Sequence, residues 1–163
     1  MRRRPFIPYY PVALNLSGRL VAVVGGGKVA ERKINKLLRA KARIKVISPV
    51  ITPALKRLVS KKKITWVCRS VRSRDLRAST LVIAAASNSA VNKSVSRWSE
   101  NGKIWANVVD DPELSDFISP ASFRKGKAVI SVHTDGKDPV LSRDLKNFLK
   151  EEWDDFLSYR RKS

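Results

Sequence analysis

The most constraining feature of the chain is an apolar run that ends in three glycines and passes directly into a helical pattern. It reads Leu20-Val-Ala-Val-Val-Gly-Gly-Gly-Lys-Val-Ala-Glu-Arg-Lys33 and predicts a strand, a tight turn and a helix N-terminus. Gly25, Gly27 and Ala30 occupy the positions of a G-x-G-x-x-A dinucleotide-binding turn. The first glycine permits the turn, the second lets a pyrophosphate approach, and the small third residue lets helix and strand pack closely. Backbone N–H groups and the positive end of the helix dipole would face the phosphates.

The second predicted strand leaves the choice between NAD and NADP open. Strand Arg43–Ile47 ends in Ser48-Pro49, without the acid that holds a ribose 2′-OH in many such folds. Arg43 and Lys45 are cations nearby in sequence that could receive a 2′-phosphate instead. A glycine-rich turn that binds no ligand is the alternative interpretation, because short motifs also match by chance.

The length and composition of the chain favour one domain with an appendage, and its single cysteine fits a reducing cytoplasm. The chain has 163 residues, of which 43% are hydrophobic, and contains no apolar run long enough to cross a membrane. The basic N-terminus, Met1–Tyr10, lacks the apolar core of a signal peptide. The single cysteine, Cys68, is expected to be a buried, inert thiol in a strand.

The charge suggests a polyanionic partner. Thirty-four Lys and Arg residues oppose 14 acids, which gives a net charge of +20. Nucleic acid, a polycarboxylate or phosphorylated small molecule, and a lineage-wide basic bias each account for this balance. The basic clusters are short and scattered, which favours a solvated surface and makes nucleic acid an unexpected partner.

Apolar runs alternate with helical patterns along residues 20–109, which predicts an α/β fold with a Rossmann-type parallel sheet. The predicted strands are Leu20–Val24, Arg43–Ile47, Ile64–Cys68, Thr80–Ala85 and Ile104–Val109. The predicted helices are Lys28–Arg39, Pro53–Ser60 after the N-cap Thr52, and a third from Asn88 or Ser89 to about Glu100.

The pattern changes after Asp110. A polar loop leads to one strand, Ala128–Val132, and to a helix that begins at Pro139 after the N-cap Asp138. This helix presents an apolar face (Leu141, Leu145, Phe148, Leu149) and is expected to continue through Trp153 to Leu157. A lone strand and helix cannot bury that face. We therefore predict domains 1–111 and 112–163, the second a strand-plus-helix dimerisation segment, with packing on the first domain as the alternative.

Three segments leave the carboxyl ends of the predicted strands, where open parallel sheets bind ligands. They are Gly25–Lys28, Ala85–Ser89 and Asn107–Asp111. A carboxylate at Asp110 can take a proton while a hydride leaves to the cofactor. Asp110 as a turn cap is the alternative, since Asp-Asp-Pro is common in turns. His133, the only histidine, is expected to be a surface or packing residue, and the sequence shows no metal-ligand spacing.

The chain resembles the precorrin-2 dehydrogenases, which include the N-terminal module of siroheme synthase. The resemblance covers roughly residues 8–150. It rests on the glycine run and on further segments in the same order: Leu81-Val-Ile-Ala-Ala85, Val91-Asn92, Asn107-Val-Val-Asp-Asp111, Asp116-Phe-Ile-Ser-Pro120 and Pro139-Val-Leu-Ser-Arg143.

The resemblance implies NAD-dependent oxidation of precorrin-2 to sirohydrochlorin by a homodimer, with Asp110 as acid/base. It implies a pyrophosphate contact by Gly25, Gly26, Gly27, Lys28 and Val29. It further implies an adenosine contact by Pro49 and Val50, and cofactor contacts by Ala85, Ala86 and Asn107. The basic surface would attract the polycarboxylate substrate. Two other functions stay open: an enzyme that also inserts ferrous iron, and a non-enzymatic dinucleotide-, tetrapyrrole- or nucleic-acid-binding protein.

Overall fold

The computed structural model describes residues 8–109 and 111–162 and shows two compact units. The first unit is Pro11–Phe117, and the second contains residues 8–10 together with the described chain from Ile118 onward. The boundary between the two domains predicted from sequence, residues 1–111 and 112–163, stays a prediction.

The first unit is built on a five-stranded parallel sheet. Its strands are β1 (Leu20–Val24), β2 (Arg43–Ile47), β3 (Thr65–Val67), β4 (Leu81–Ala84) and β5 (Trp105–Val108). They lie in the order β3-β2-β1-β4-β5, with every neighbouring pair parallel. This is the strand order of a Rossmann-type sheet, so the predicted fold class is confirmed.

Three helices cover the sheet: α1 (Lys28–Arg39), α2 (Pro53–Ser60) and α3 (Ser89–Asn101). Side chains alternate along each strand, so each strand contributes to two apolar cores. Ala30, Ile34 and Leu55 of α1 and α2 pack with one face, and Val95 of α3 packs with the other. β1 and β4 are nearly inaccessible to solvent, which explains why their sequences are continuously apolar.

The N-caps predicted from sequence are present at the start of α2 and of α3. Thr52 Oγ1 accepts from Leu55 N at 3.2 Å, and Asn88 Oδ1 accepts from Ala90 N at 2.9 Å. Proline follows Thr52 at the first helical position, where a missing N–H costs nothing.

A short segment after β5 closes the outer edge of the sheet. Asp116 Oδ2 accepts from Ala106 N, and Asp116 N donates to Ala106 O, both at 2.8 Å. Ser115 Oγ accepts from Val108 N at 2.8 Å. Side chains therefore take the place of a sixth strand, and the edge is not left open for pairing with another chain.

The second unit corrects the prediction of a lone strand. Two antiparallel strands, β6 (Ala121–Lys125) and β7 (Ala128–Val132), form a hairpin. Gly126 has φ +56° in the connecting turn, a left-handed conformation that suits glycine. The predicted continuous helix is also divided, into α4 (Pro139–Glu151) and α5 (Trp153–Lys162).

Two residues singled out by the sequence each follow the end of a strand in their own unit. Cys68 is exposed beyond the end of β3, and its thiol donates to Pro49 O at 3.3 Å, so the prediction of a buried thiol is wrong. β3 is an edge strand of three residues, too short to include Cys68. His133 Nδ1 lies 3.3 Å from Asp135 Oδ1, which also accepts from Tyr9 N.

Candidate dinucleotide site

The glycine turn between β1 and α1 is shaped by contacts with two other loops. Gly25 has φ +118°, and a Cβ there would lie 2.3 Å from Ala85 O. A Cβ on Gly26 would lie 2.1 Å from Val50 O. Both positions therefore require glycine because backbone from elsewhere in the sheet packs against them. The motif predicted this for Gly25, whereas the requirement at Gly26 depends on a loop that is distant in sequence.

Gly27 differs from its two neighbours because the space beside it is open. A Cβ at Gly27 would meet no atom within 4 Å. Gly27 is the N-cap of α1 and makes no side-chain cap, and the first helical bond joins Glu31 N to Gly27 O. The N–H groups of residues 28–30 consequently have no acceptor within the helix. This open space beside a helix N-terminus fits a pyrophosphate.

The loop after β2 forms the second wall of the site and is fixed from both sides. Thr52 N donates to Gly26 O at 3.0 Å, and Thr52 Oγ1 donates to Glu31 Oε2 at 2.6 Å. From the other side, Trp66 Nε1 donates to Ser48 O at 2.9 Å. Pro49 and Val50, predicted to flank the adenosine, are thus held against the glycine turn.

The segment after β4 forms the third wall and is held by Asn92. Asn92 Oδ1 accepts from Ala86 N and Asn92 Nδ2 donates to Ala86 O, both at 3.0 Å. Asn92 is buried on α3, so this pair of bonds fixes the peptide groups of Ala86 at the edge of the sheet. In the sequence, Asn92 belongs to the Val91-Asn92 segment, from which no role for its side chain is predicted.

These three walls enclose a cavity of about 920 Å³, a volume that suits a cofactor. Nine of the ten residues predicted to bind the cofactor line it: Gly25, Gly26, Gly27, Lys28, Val29, Pro49, Val50, Ala85 and Ala86. Further residues that were not predicted from the sequence also line the cavity, and they include Ser48, Ser70, Val71 and Trp98. Ser70 and Val71 follow β3, and their position after a parallel strand was the available signal.

Asn107, the tenth predicted residue, lies in the middle of β5 and does not line the cavity. Its Oδ1 accepts from Lys33 Nζ at 3.1 Å, and its Nδ2 donates to Phe117 O at 2.9 Å. Burial of Lys33, together with repulsion from Lys36 and Arg32, lowers the pKa of its amine to about 8. Asn107 therefore connects α1, β5 and the segment that follows β5.

Asp110 lies outside the described residues, so its predicted role as acid/base stays a prediction. Its neighbours in sequence are described. Val109 lines the cavity, and Val109 N donates to Ala84 O at 3.0 Å. Asp111 Oδ1 accepts from Glu113 N at 3.1 Å, which makes Asp111 the cap of a short 3₁₀ turn.

Neither Arg43 nor Lys45 lines the cavity, so neither is placed to receive a 2′-phosphate there. Arg43 is the first residue of β2 and pairs with Leu20, the first residue of β1. It therefore lies at the amino-terminal ends of the strands, whereas the glycine turn follows the carboxyl end of β1. Among residues 8–109 and 111–162, no group of three His, Cys, Asp or Glu side chains could hold a metal ion. Within the same residues, no helix has the length and apolar character needed to span a membrane.

Comparison with known proteins places this site in a family. A family model described as "Putative NAD(P)-binding" matches residues 12–121. Siroheme synthase of Neisseria meningitidis serogroup C is 39% identical over 142 residues, which cover 87% of this chain and 30% of that protein. Siroheme synthase of Nitrosomonas europaea is 41% identical over 143 residues, with the same two coverages. The chain thus spans about 30% of the length of these curated relatives.

A solved structure titled "SirC, precorrin-2 dehydrogenase" superposes with a TM-score of 0.77 at 30% sequence identity. The match covers 88% of this chain and 71% of the other. These findings confirm the resemblance drawn from the sequence and the predicted class of cofactor, a nicotinamide dinucleotide. The chain belongs to the precorrin-2 dehydrogenase family of NAD(P)-binding proteins.

Proposed function

We propose that the chain catalyses the NAD-dependent oxidation of precorrin-2 to sirohydrochlorin in the cytoplasm. The observation that carries the proposal is the cavity at the glycine turn, in a chain that is 30% identical to a precorrin-2 dehydrogenase of the same fold. The likeness to siroheme synthases further supports a role in the formation of siroheme.

The residues of the first unit fit the cofactor. The open space at Gly27 and the N–H groups that begin α1 would hold the pyrophosphate. Lys28, the only charged side chain among the described lining residues, adds a positive charge there. Bound NAD would supply the hydride acceptor. Val50, which lines the cavity, would pack against the adenosine.

Asp110 would supply the base. Oxidation of precorrin-2 removes a hydride and a proton, so a carboxylate that accepts the proton completes the reaction. In sequence, Asp110 directly follows Val109, which lines the cavity. Asp111 is engaged as the cap of a turn, and this favours Asp110 over its neighbour for the catalytic role.

Paired substitutions of the two aspartates test this assignment. Asp110→Asn removes the basicity and keeps the shape, so turnover of precorrin-2 should fall ~100- to 10,000-fold. NAD affinity, measured by calorimetry, should stay nearly unchanged, because the substitution removes a base that acts on the substrate. Asp111→Asn retains an oxygen that can accept from Glu113 N and should cost little activity. Full turnover in Asp110→Asn would refute the assignment, and equal losses in both variants would assign the effect to the loop.

We also propose that the second unit joins two copies of the chain. Leu141, Leu145 and Phe148 of α4 are 42–56% exposed, so the residues that the structure describes do not cover the apolar face predicted for this helix. The two-stranded β6–β7 hairpin packs against α4, and the apolar side chains of α4 that stay exposed offer a surface to a second copy. Sedimentation at micromolar concentration should give a dimer, and Phe148→Asp should give a monomer. A monomeric original chain would refute the proposal.

A further inference from the structure

Ser48, in the loop after β2, carries a hydroxyl group that donates a hydrogen bond within the loop itself. Ser48 lines the cavity, and its Oγ donates to Val50 O at 2.7 Å. A serine hydroxyl has one proton and two lone pairs. Because the proton is directed to Val50 O, Ser48 Oγ offers the cavity only lone pairs, and it can accept a hydrogen bond there.

The loop has little freedom to change this arrangement. Trp66 Nε1 donates to Ser48 O, and the Cys68 thiol donates to Pro49 O. Beyond Val50, Thr52 N donates to Gly26 O. Bonds from β3, from the residue after it and from the glycine turn therefore fix the backbone on both sides of Ser48. In this backbone arrangement the carbonyl of Val50 lies within reach of the Ser48 hydroxyl, which donates to it.

Ser48 occupies the position that follows the second strand, where a carboxylate accepts from the ribose 2′-OH in many dinucleotide-binding folds. The lone pairs of Ser48 Oγ offer the same acceptor without the negative charge. A 2′-phosphate brings acceptor oxygens and no stable donor. Its oxygens would face the lone pairs of Ser48 Oγ, and no hydrogen bond would form between them.

The charges around the cavity also favour NAD over NADP. Lys28, at the N-terminus of α1, is the one cation among the described lining residues. Arg69 follows β3, but both of its terminal nitrogens donate to Asp75, at 2.7 and 2.8 Å. Selection of NADP usually relies on an arginine near the 2′-phosphate. The loop of Ser48 offers no such partner.

We propose that Ser48 Oγ accepts a hydrogen bond from the adenosine ribose 2′-OH and thereby selects NAD over NADP. The proposal rests on the proposed function only in requiring that the cavity holds a dinucleotide.

Calorimetry on the full chain, without precorrin-2, tests the proposal. Three ligands are compared: NAD, NADP, and NAD that lacks the adenosine ribose 2′-OH. The original chain should bind NAD ~3- to 10-fold more tightly than the 2′-deoxy form, which corresponds to the net free energy of one hydrogen bond. It should bind NADP more weakly still. Ser48→Ala should bind NAD and the 2′-deoxy form equally, and Ser48→Thr should restore the difference.

Ser60→Ala is the matched control, because Ser60 Oγ also donates to a backbone carbonyl, that of Arg57, but does not line the cavity. This control should retain the full preference for NAD. The proposal is overturned if Ser48→Ala still distinguishes NAD from the 2′-deoxy form, or if the original chain binds NADP as tightly as NAD. A chain that selects NAD in this way but does not oxidise precorrin-2 would refute the proposed function and leave the role of Ser48 standing.

Discussion

Substitution of Gly27 separates cofactor binding from folding. The backbone of Gly27, with φ −83° and ψ −173°, is extended and open to any L-residue. An added Cβ meets no atom of the chain within 4 Å. In Gly27→Ala, the loss of a glycine at the N-cap and the smaller freedom of the unfolded chain have opposite effects, each about 0.5–1 kcal/mol. The free energy of unfolding should therefore change little.

Binding should respond very differently in Gly27→Val. Its branched side chain fills the space in front of the N–H groups that begin α1. Loss of two hydrogen bonds to a charged phosphate costs about 3–6 kcal/mol, from about 1.5–3 kcal/mol each. NAD affinity should fall at least ~100-fold, since 1.36 kcal/mol corresponds to a factor of ten.

Gly26→Ala supplies the contrast for this experiment. Its Cβ would lie 2.1 Å from Val50 O and 2.9 Å from the Cα of Ile51, both backbone atoms. Overpacking of this kind typically costs about 1–3 kcal/mol, so thermal unfolding monitored by circular dichroism should shift downward. In Gly27→Val, calorimetry should show a loss of NAD affinity, while thermal unfolding should stay close to that of the original chain. Gly26→Ala should not show this combination, because its fold is destabilised. Normal NAD affinity in a folded Gly27→Val would show that the space at this glycine does not hold the pyrophosphate.

Two further predictions concern stability. The hydrogen bonds from Arg69 lower the pKa of Asp75 from 3.8 to about 2, and the backbone N–H of Arg72 adds to the effect. Because the folded pKa lies below the unfolded value, this stabilisation is complete above about pH 4 and is lost as the pH falls toward 2. With allowance for the partly exposed Arg69, Asp75→Asn should lower the free energy of unfolding by about 1–2 kcal/mol at pH 7 in urea titrations. The gap to the original chain should narrow below pH 4, and a gap independent of pH would exclude the ionic cause. Asp116→Ala removes the acceptor of Ala106 N at the sheet edge and should raise light scattering on heating, whereas Asp154→Ala, on exposed α5, should not.

The parts of the fold that the sequence predicted correctly are determined by neighbouring residues. The run from β1 to α1 combines a buried strand, a turn that needs Gly25, and a helix with one apolar face. Each of these features has a local cause, so the elements and their boundaries follow from the printed sequence. The same holds for Thr52 and Asn88, since an N-cap bonds to an N–H two or three residues later.

The parts that the sequence analysis missed depend on contacts between distant segments. Glycine is required at Gly26 because Val50 O packs against it, and Asn92 acts on Ala86 only because α3 returns along β4. Strand β6 was missed because its sequence, Ala-Ser-Phe-Arg-Lys, is half-buried and lacks a clear apolar run. The signal that was available was Gly126, placed between two short segments of similar length.

Ser115 and Asp116 give a physical reason why a segment far from the glycine turn belongs to the same structural unit. β5 has a partner on one side only, β4, and its free edge would be open to pairing with another chain. Ser115 and Asp116 satisfy backbone groups of Ala106 and Val108 along that edge, and the carbonyl of Phe117 accepts from Asn107. Asn107 in turn accepts from Lys33 of α1, the helix that begins at the glycine turn. The end of the first unit is therefore connected by hydrogen bonds to α1, and a truncation before Ser115 would remove this connection and expose the β5 edge.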